Sequence, residues 1–186
     1  QVGRIMEAVR QLERPTVVVF TSDHGELLGD HGLLFKGLYH YDSILKVPLI
    51  VAGDGIEAGV REEQVQEIDI MPTLLGLAGG GAPCECQGRL LPGLGGSHGY
   101  EFTLSEQCAP WYTPTLRVQT LRSERWKLNA YNDPDIGELY DLRNDPHEQV
   151  NLWAEPDYAE VRDEMQRQLL KKLMDTTVGR RRTFRA

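Results

Sequence analysis

Apolar residues recur at Val2, Ile5, Met6, Val9 and Leu12, steps of three and four that predict an amphipathic helix over residues 1–14. Pro15 ends it, because proline has no amide proton to continue the ladder. Residues 16–20 (TVVVF) and 47–52 (VPLIVA) are short, apolar and largely β-branched, the pattern of strands buried on both faces, as in a parallel sheet. A polar, glycine-bearing loop, 21–37, follows the first run, and Gly53-Asp54-Gly55 closes the second. Between 67 and 79, Ile68, Ile70, Met71, Leu74, Leu75 and Ala78 suit a helix with Pro72 in its first turn, where the missing donor is harmless. Helix, strand, loop, strand, helix is the edge of an α/β layer.

The pattern changes at Gly79. Residues 79–99 hold eight glycines and two prolines, an irregular connection poor in regular hydrogen bonds. Short β-like runs follow at 101–106, 116–123, 125–131 and 137–142, with turns at 123–124 and 132–135, which predicts an antiparallel meander. Residues 156–174 place Val161, Met165, Leu169, Leu170, Leu173 and Met174 on one side of a helix suited to cover one face of that meander. The expected organisation is an α/β edge over 1–80 carrying the loop 21–37, a Gly/Pro-rich connection over 81–100, a β subdomain with its helix over 101–175, and a basic tail over 176–186.

The chain has 186 residues, 40% hydrophobic and 26% charged, which suits one globular domain, or one with an appendage, and excludes a disordered or fibrous chain. No run of about 18 apolar residues suggests a membrane span, and no charged-then-apolar leader is seen. A net charge of −8 argues against general nucleic-acid binding, which needs a basic surface. Three cysteines do not make a disulfide framework and leave the compartment open.

The candidate chemistry gathers in Thr21-Ser22-Asp23-His24-Gly25-Glu26, directly after a strand, where ligands bind in open α/β sheets. Asp23 offers a hard carboxylate oxygen and His24 an imidazole nitrogen, and the two together can reach one divalent cation. Equally, Asp23 can cap a helix beginning near Glu26 and leave His24 in solvent. His31 follows in Gly29-Asp30-His31-Gly32, and Lys36 in Phe35-Lys36-Gly37. A lysine beside a cation is placed to hold a sulfate or phosphate group; alone, it is an ordinary solvated lysine. Glu26 and Asp30 read as solvated or capping residues, Lys46 as structural, and His40, His98 and His147 as surface or loop histidines. Cys84-Glu85-Cys86 is half a soft-metal spacing without its other half. Ser22 and Ser43 lack a nucleophile-elbow context.

The run Thr21-Ser22-Asp23-His24-Gly25-Glu26 with Gly29, His31-Gly32 and Lys36-Gly37 resembles the metal-and-anion loop of sulfatases and their relatives in the alkaline phosphatase superfamily, the phosphonate monoester hydrolases and choline-sulfatase-like enzymes. Tyr41-Asp42 through Lys46-Val47-Pro48-Leu49-Ile50, Asp69-Ile70-Met71-Pro72-Thr73-Leu74-Leu75, Trp126-Lys127-Leu128 and Glu138-Leu139-Tyr140-Asp141-Leu142 through Asp145-Pro146 to Asn151-Leu152 are similar to further family segments, in the family's order. The resemblance implies a partial alkaline-phosphatase-like parallel-sheet layer followed by a small antiparallel β meander with a C-terminal helix. It implies that Asp23 and His24 ligate a divalent metal, calcium first, with manganese, magnesium or zinc as alternatives. Lys36 would bind the transferring group and His31 would contact substrate or support the loop.

The family's nucleophile, a formylglycine made within Cys/Ser-x-Pro-x-Arg behind paired acidic ligands, has no counterpart here. Cys108-Ala109-Pro110-Trp111-Tyr112 has tyrosine where arginine is needed and follows the metal loop instead of preceding it. The expectation is therefore the C-terminal part of a sulfuric ester hydrolase, acting on an anionic sulfate ester, without its N-terminal formylglycine region and inactive alone. His24 in place of the commoner asparagine points to the alternative of a phosphonate monoester or phosphodiester hydrolase. A non-catalytic module is the other alternative. A chain of this kind would associate with a second copy or a completing chain through exposed strands.

Overall fold

The computed structural model describes residues 1–83, 86–108, 116–133 and 135–178. Cys84-Glu85, the segment 109–115 with its Cys-x-Pro continuation, and the arginine cluster of the tail lie outside the described residues.

Helix α1 spans Val2–Arg10, shorter than the periodicity predicts, and buries none of its residues. Strands β1 (Val17–Thr21) and β2 (Leu49–Gly53) form a two-stranded sheet. They run antiparallel, with Val17 opposite Gly53 and Thr21 opposite Leu49. This corrects the expected parallel pairing. The segment between them turns back on itself, its only α-helix being the four-residue α2 (Asp42–Leu45), and returns without crossing to the other end of β1. An apolar run fits either sense, because its pattern reports burial and not strand direction. The burial is also less than expected, since Phe20 and Ile50 are exposed. Gly53 has φ +134°, and a Cβ there would stand 2.1 Å from the Thr16 carbonyl oxygen, so the close approach that ends the pair needs glycine.

A turn at Glu67–Asp69 leads into α3 (Ile70–Leu77), which holds Pro72 early as predicted. Asp69 is buried and its carboxylate accepts from the amides of Gln66 and Arg89 and from the Tyr100 hydroxyl. Thr73 Oγ1 accepts from the Leu91 amide at 2.9 Å. These side-chain bonds hold the glycine-rich connection, which has almost no ladder of its own.

The meander is formed by β3 (Thr103–Cys108), β4 (Arg117–Arg122), β5 (Trp126–Tyr131) and β6 (Gly137–Asp141), antiparallel in chain order. Helix α4 (Ala159–Val178) covers one face. There Leu121, Leu128 and Leu139 meet Met165 and Leu169, all buried. Leu170 and Met174, expected on the buried side, point out and are exposed. A straight helix can bring only one stripe to a flat sheet, and Val161, Met165, Leu169 and Leu173 make that stripe.

The opposite face carries Val118, Thr120, Lys127, Asn129 and Tyr140, all buried. Alternation along the strands puts them there. Their cover is the segment around 40–44 together with the turn at Glu148, so the polar side of the meander faces the loop that follows β1.

Candidate metal and anion loop

Strand β1 delivers the chain to Ser22, and the backbone then folds tightly. The Ser22 hydroxyl donates to the His24 carbonyl at 2.8 Å, and the His24 amide donates to Asp23 Oδ1 at 3.1 Å. No helix begins at Glu26; its carboxylate accepts from the Leu27 amide, as Asp30 does from that of His31. Asp23 is 85% exposed.

The His24 ring has a defined tautomer. Nδ1 lies 2.7 Å from the Gly25 carbonyl oxygen, which can only accept, so Nδ1 carries the proton and Nε2 keeps its lone pair. That lone pair accepts from Lys36 Nζ at 2.5 Å. Asp23 Oδ2 is 3.5 Å from the same Nε2. One carboxylate, one neutral imidazole and one ammonium therefore converge, although Lys36 is twelve residues from His24. Glu67 is close enough for the Asp23 charge to reinforce the upward push that burial gives its own carboxyl. Among the described residues no group of three or more His, Cys, Asp or Glu side chains is arranged to hold a metal.

Two features set the loop's shape. The Gly25 amide donates to the Ile44 carbonyl at 2.7 Å, and a Cβ on Gly25 would lie 1.9 Å from the Ser43 carbonyl oxygen. Backbone thus lies against backbone, and only glycine fits. Further on, Leu28, Gly29, His31 and Gly32 all have positive φ, which reverses the chain so that Lys36 comes back over His24. The His31 ring stacks on Tyr41 with centroids 3.6 Å apart and planes 6° from parallel. Its Nε2 is buried and makes no hydrogen bond to the described residues.

Several residues stand elsewhere than sequence reasoning put them. His40 is not a surface histidine: it is buried between Thr120 Oγ1 at 2.7 Å and Gln107 Oε1 at 3.0 Å. Burial pushes its pKa down to about 4, the Lys127 charge adding to this and the Gln107 bond opposing it. Lys46 is exposed. His98 and His147 are exposed, as expected. What the sequence reading missed is a charge network under the loop. Lys127 is fully buried and pairs with Asp42 at 3.0 Å and with Glu148 at 2.5 Å, while Arg122 pairs with Asp42 at 3.2 Å. Asp42 is pushed up by burial, but Lys127 and Arg122 outweigh that and hold it below the usual range. Glu148 is held above its usual range by burial. The available signal was the pairing of a lone strand lysine with an acidic residue beside the loop, 85 positions away.

A family model described as N-sulphoglucosamine sulphohydrolase, C-terminal, matches residues 29–175. The chain belongs to this sulfatase family. It is 34% identical over 173 residues to the uncharacterized sulfatase YidJ of Escherichia coli K12, a match taking in 91% of this chain and 35% of that protein. Its fold superposes on a 2-O GAG sulfatase with a TM-score of 0.85 at 29% identity, over 95% of this chain and 40% of the other. The phosphonate monoester hydrolase of Agrobacterium radiobacter gives a TM-score of 0.80 at 28% identity, over 94% and 38% of the two chains. The chain spans about a third of the length of the curated relatives it matches, as in the 35%, 36% and 33% of three of them. Among the described residues no helix is long and apolar enough to cross a membrane.

Proposed function

We propose that this chain supplies the metal-and-anion side of a sulfuric ester hydrolase site. The supporting observation is the convergence of Asp23 Oδ2, His24 Nε2 and Lys36 Nζ on one point at the exit of β1. The donor set fits a divalent cation: an exposed carboxylate oxygen, and a neutral imidazole whose tautomer is fixed by its other nitrogen, as in metal-binding histidines. Asp23 and His24 would hold the cation. Calcium is our first choice, since the carboxylate suits hard ions; the imidazole draws toward manganese or zinc, with magnesium the remaining candidate. Once bound, such a cation supplies Lewis-acid polarisation of the ester oxygens.

The remaining roles belong to the chain itself. The Gly25 carbonyl keeps His24 in the tautomer that leaves Nε2 free of a proton. Nε2 has one lone pair, so a cation held by His24 would leave Lys36 to direct its three donors to the oxygens of the sulfate. There the ammonium stabilises the charge that grows on the leaving oxygen. His31 supports the loop by stacking on Tyr41, with its Nε2 buried. The nucleophile in this reading is a formylglycine contributed from outside these residues, and the two ligands here leave the chain alone with weak metal affinity and no turnover.

The test is Lys36→Ala and Asp23→Ala in the polypeptide as its gene encodes it, assayed on an aryl sulfate. Loss of an oxyanion partner is expected to lower kcat by about 10²–10³. An unchanged kcat in Lys36→Ala would sink the assignment. The second reading, hydrolysis of phosphonate monoesters or phosphodiesters, is favoured by His24 as the second ligand and by likeness to the Agrobacterium enzyme. The ratio of kcat/KM on matched sulfate and phosphonate esters decides between them.

A further inference from the structure

Three segments far apart in sequence meet beneath the metal-and-anion loop. Lys127 enters from β5, Asp42 from the first residue of α2, and Glu148 from the turn after β6. The Lys127 side chain is 0% exposed and that of Glu148 is 2% exposed. Burying three charges is expensive unless each is paired, and here each is. Glu148 spends its second oxygen on the backbone: Oε2 accepts from the Asp42 amide at 2.6 Å, at the start of α2. Glu148 also has a left-handed φ of +56°, a strained conformation for a non-glycine residue that persists only where surrounding contacts impose it. Leu28 and His31, in the loop, are the other non-glycine residues with positive φ among the described residues.

From α2 the connection reaches the loop twice. The Ile44 carbonyl holds the Gly25 amide, next to His24, and Tyr41 carries the His31 ring. On this path Asp42 binds Lys127 and Arg122 below and begins the helix that grips the loop above. We propose that Lys127 is a positioning residue for the metal-and-anion loop: through Asp42 and Glu148 it fixes α2, and α2 fixes Gly25 and His31. The meander is then part of the site's machinery, although none of its residues touches the convergence point. This inference rests on the reading of the loop under Proposed function for what is positioned, but not for the positioning itself.

Native-state hydrogen exchange on the full chain separates the two. In Lys127→Met, Gly25 amide protection is expected to fall at least about tenfold, while the β4–β5 ladder amides keep theirs. In parallel, Mn²⁺ is titrated as a probe into the polypeptide as its gene encodes it, with apparent affinity expected to fall about 10–100-fold, the range for losing groups that orient a metal's ligands. A purely structural role would loosen sheet and loop amides together. That uniform loosening, or an unchanged Gly25, overturns the proposal. If the unmodified polypeptide, as its gene encodes it, takes up no Mn²⁺, the metal reading of the loop fails while the exchange result still decides the positioning. If Lys127→Met does not fold, Glu148→Gln takes its place, since it leaves Lys127 paired with Asp42. The same selective loss at Gly25, of smaller size, is then expected, and its absence overturns the proposal.

Discussion

Acidification should loosen the contact between the loop and the meander through one histidine. His40 lies four residues beyond Lys36 and is 3% exposed. Its hydrogen bonds place a proton on Nδ1. Asn129 donates to Glu138, so its carbonyl oxygen faces Thr120, whose single proton goes there. Thr120 Oγ1 therefore accepts from His40 Nδ1, which carries a proton, and Nε2 lies 3.0 Å from Gln107 Oε1. Burial holds the folded pKa at about 4 against an ordinary 6.5. A depressed pKa means that the unfolded chain takes up a proton first. The stability from keeping His40 neutral is thus complete above 6.5, is lost as pH falls toward about 4, and changes no further below that.

At about 1.4 kcal/mol per pH unit, the interval from 6.5 to about 4 is worth about 3 kcal/mol, a large part of the roughly 5–15 kcal/mol that stabilises a typical domain. Gln107 reduces this, because its Oε1, 3.0 Å from Nε2, can accept from a protonated ring. Glu148 acts in the opposite sense: its raised pKa gives stability below the ordinary carboxyl range that is lost as pH rises through the folded value. The assay is therefore a difference. Urea unfolding is followed across the window between 6.5 and about 4 for the wild type and for His40→Gln, which does not titrate. The wild type should lose about 2–3 kcal/mol more than the variant over that window. Parallel curves, or a His40 ring that titrates near 6.5 by NMR, would refute the reasoning.

Two further substitutions test the packing. Leu128→Ala removes a fully buried side chain between Leu121, Leu139 and α4, and should cost about 2–5 kcal/mol in urea unfolding; a loss below about 1 kcal/mol would mean that the sheet–helix core is not as described. Gly25→Ala puts a methyl 1.9 Å from the Ser43 carbonyl oxygen and should cost about 2 kcal/mol or more, whereas Gly59→Ala, with open space around it, should stay within about 0.5 kcal/mol. Equal effects at the two glycines would contradict the backbone contact between the loop and α2.

The legible parts of this chain were those whose signal is local. Asp23, His24 and Lys36 lie within one loop after an apolar strand, and their order together with the family resemblance pointed to their meeting. The meander and α4 were legible because a period of two gives way to a period near 3.6. Strand direction in the β1–β2 pair was not, because valines on both sides of a strand fit either sense. The polar face of the meander was hidden for a related reason. Thr120, Lys127 and Asn129 alternate with Leu121 and Leu128 as residues on a wetted face would. Alternation reports which side is polar and says nothing of whether water or protein lies against it. Here the cover is protein, and Lys127 is dry. A buried ammonium needs partners. Its partners, Asp42 and Glu148, come from segments that only the fold brings together, and one of them starts the helix whose carbonyl holds Gly25. What positions the loop is therefore written outside it, in charges that read as surface charges until their burial is seen.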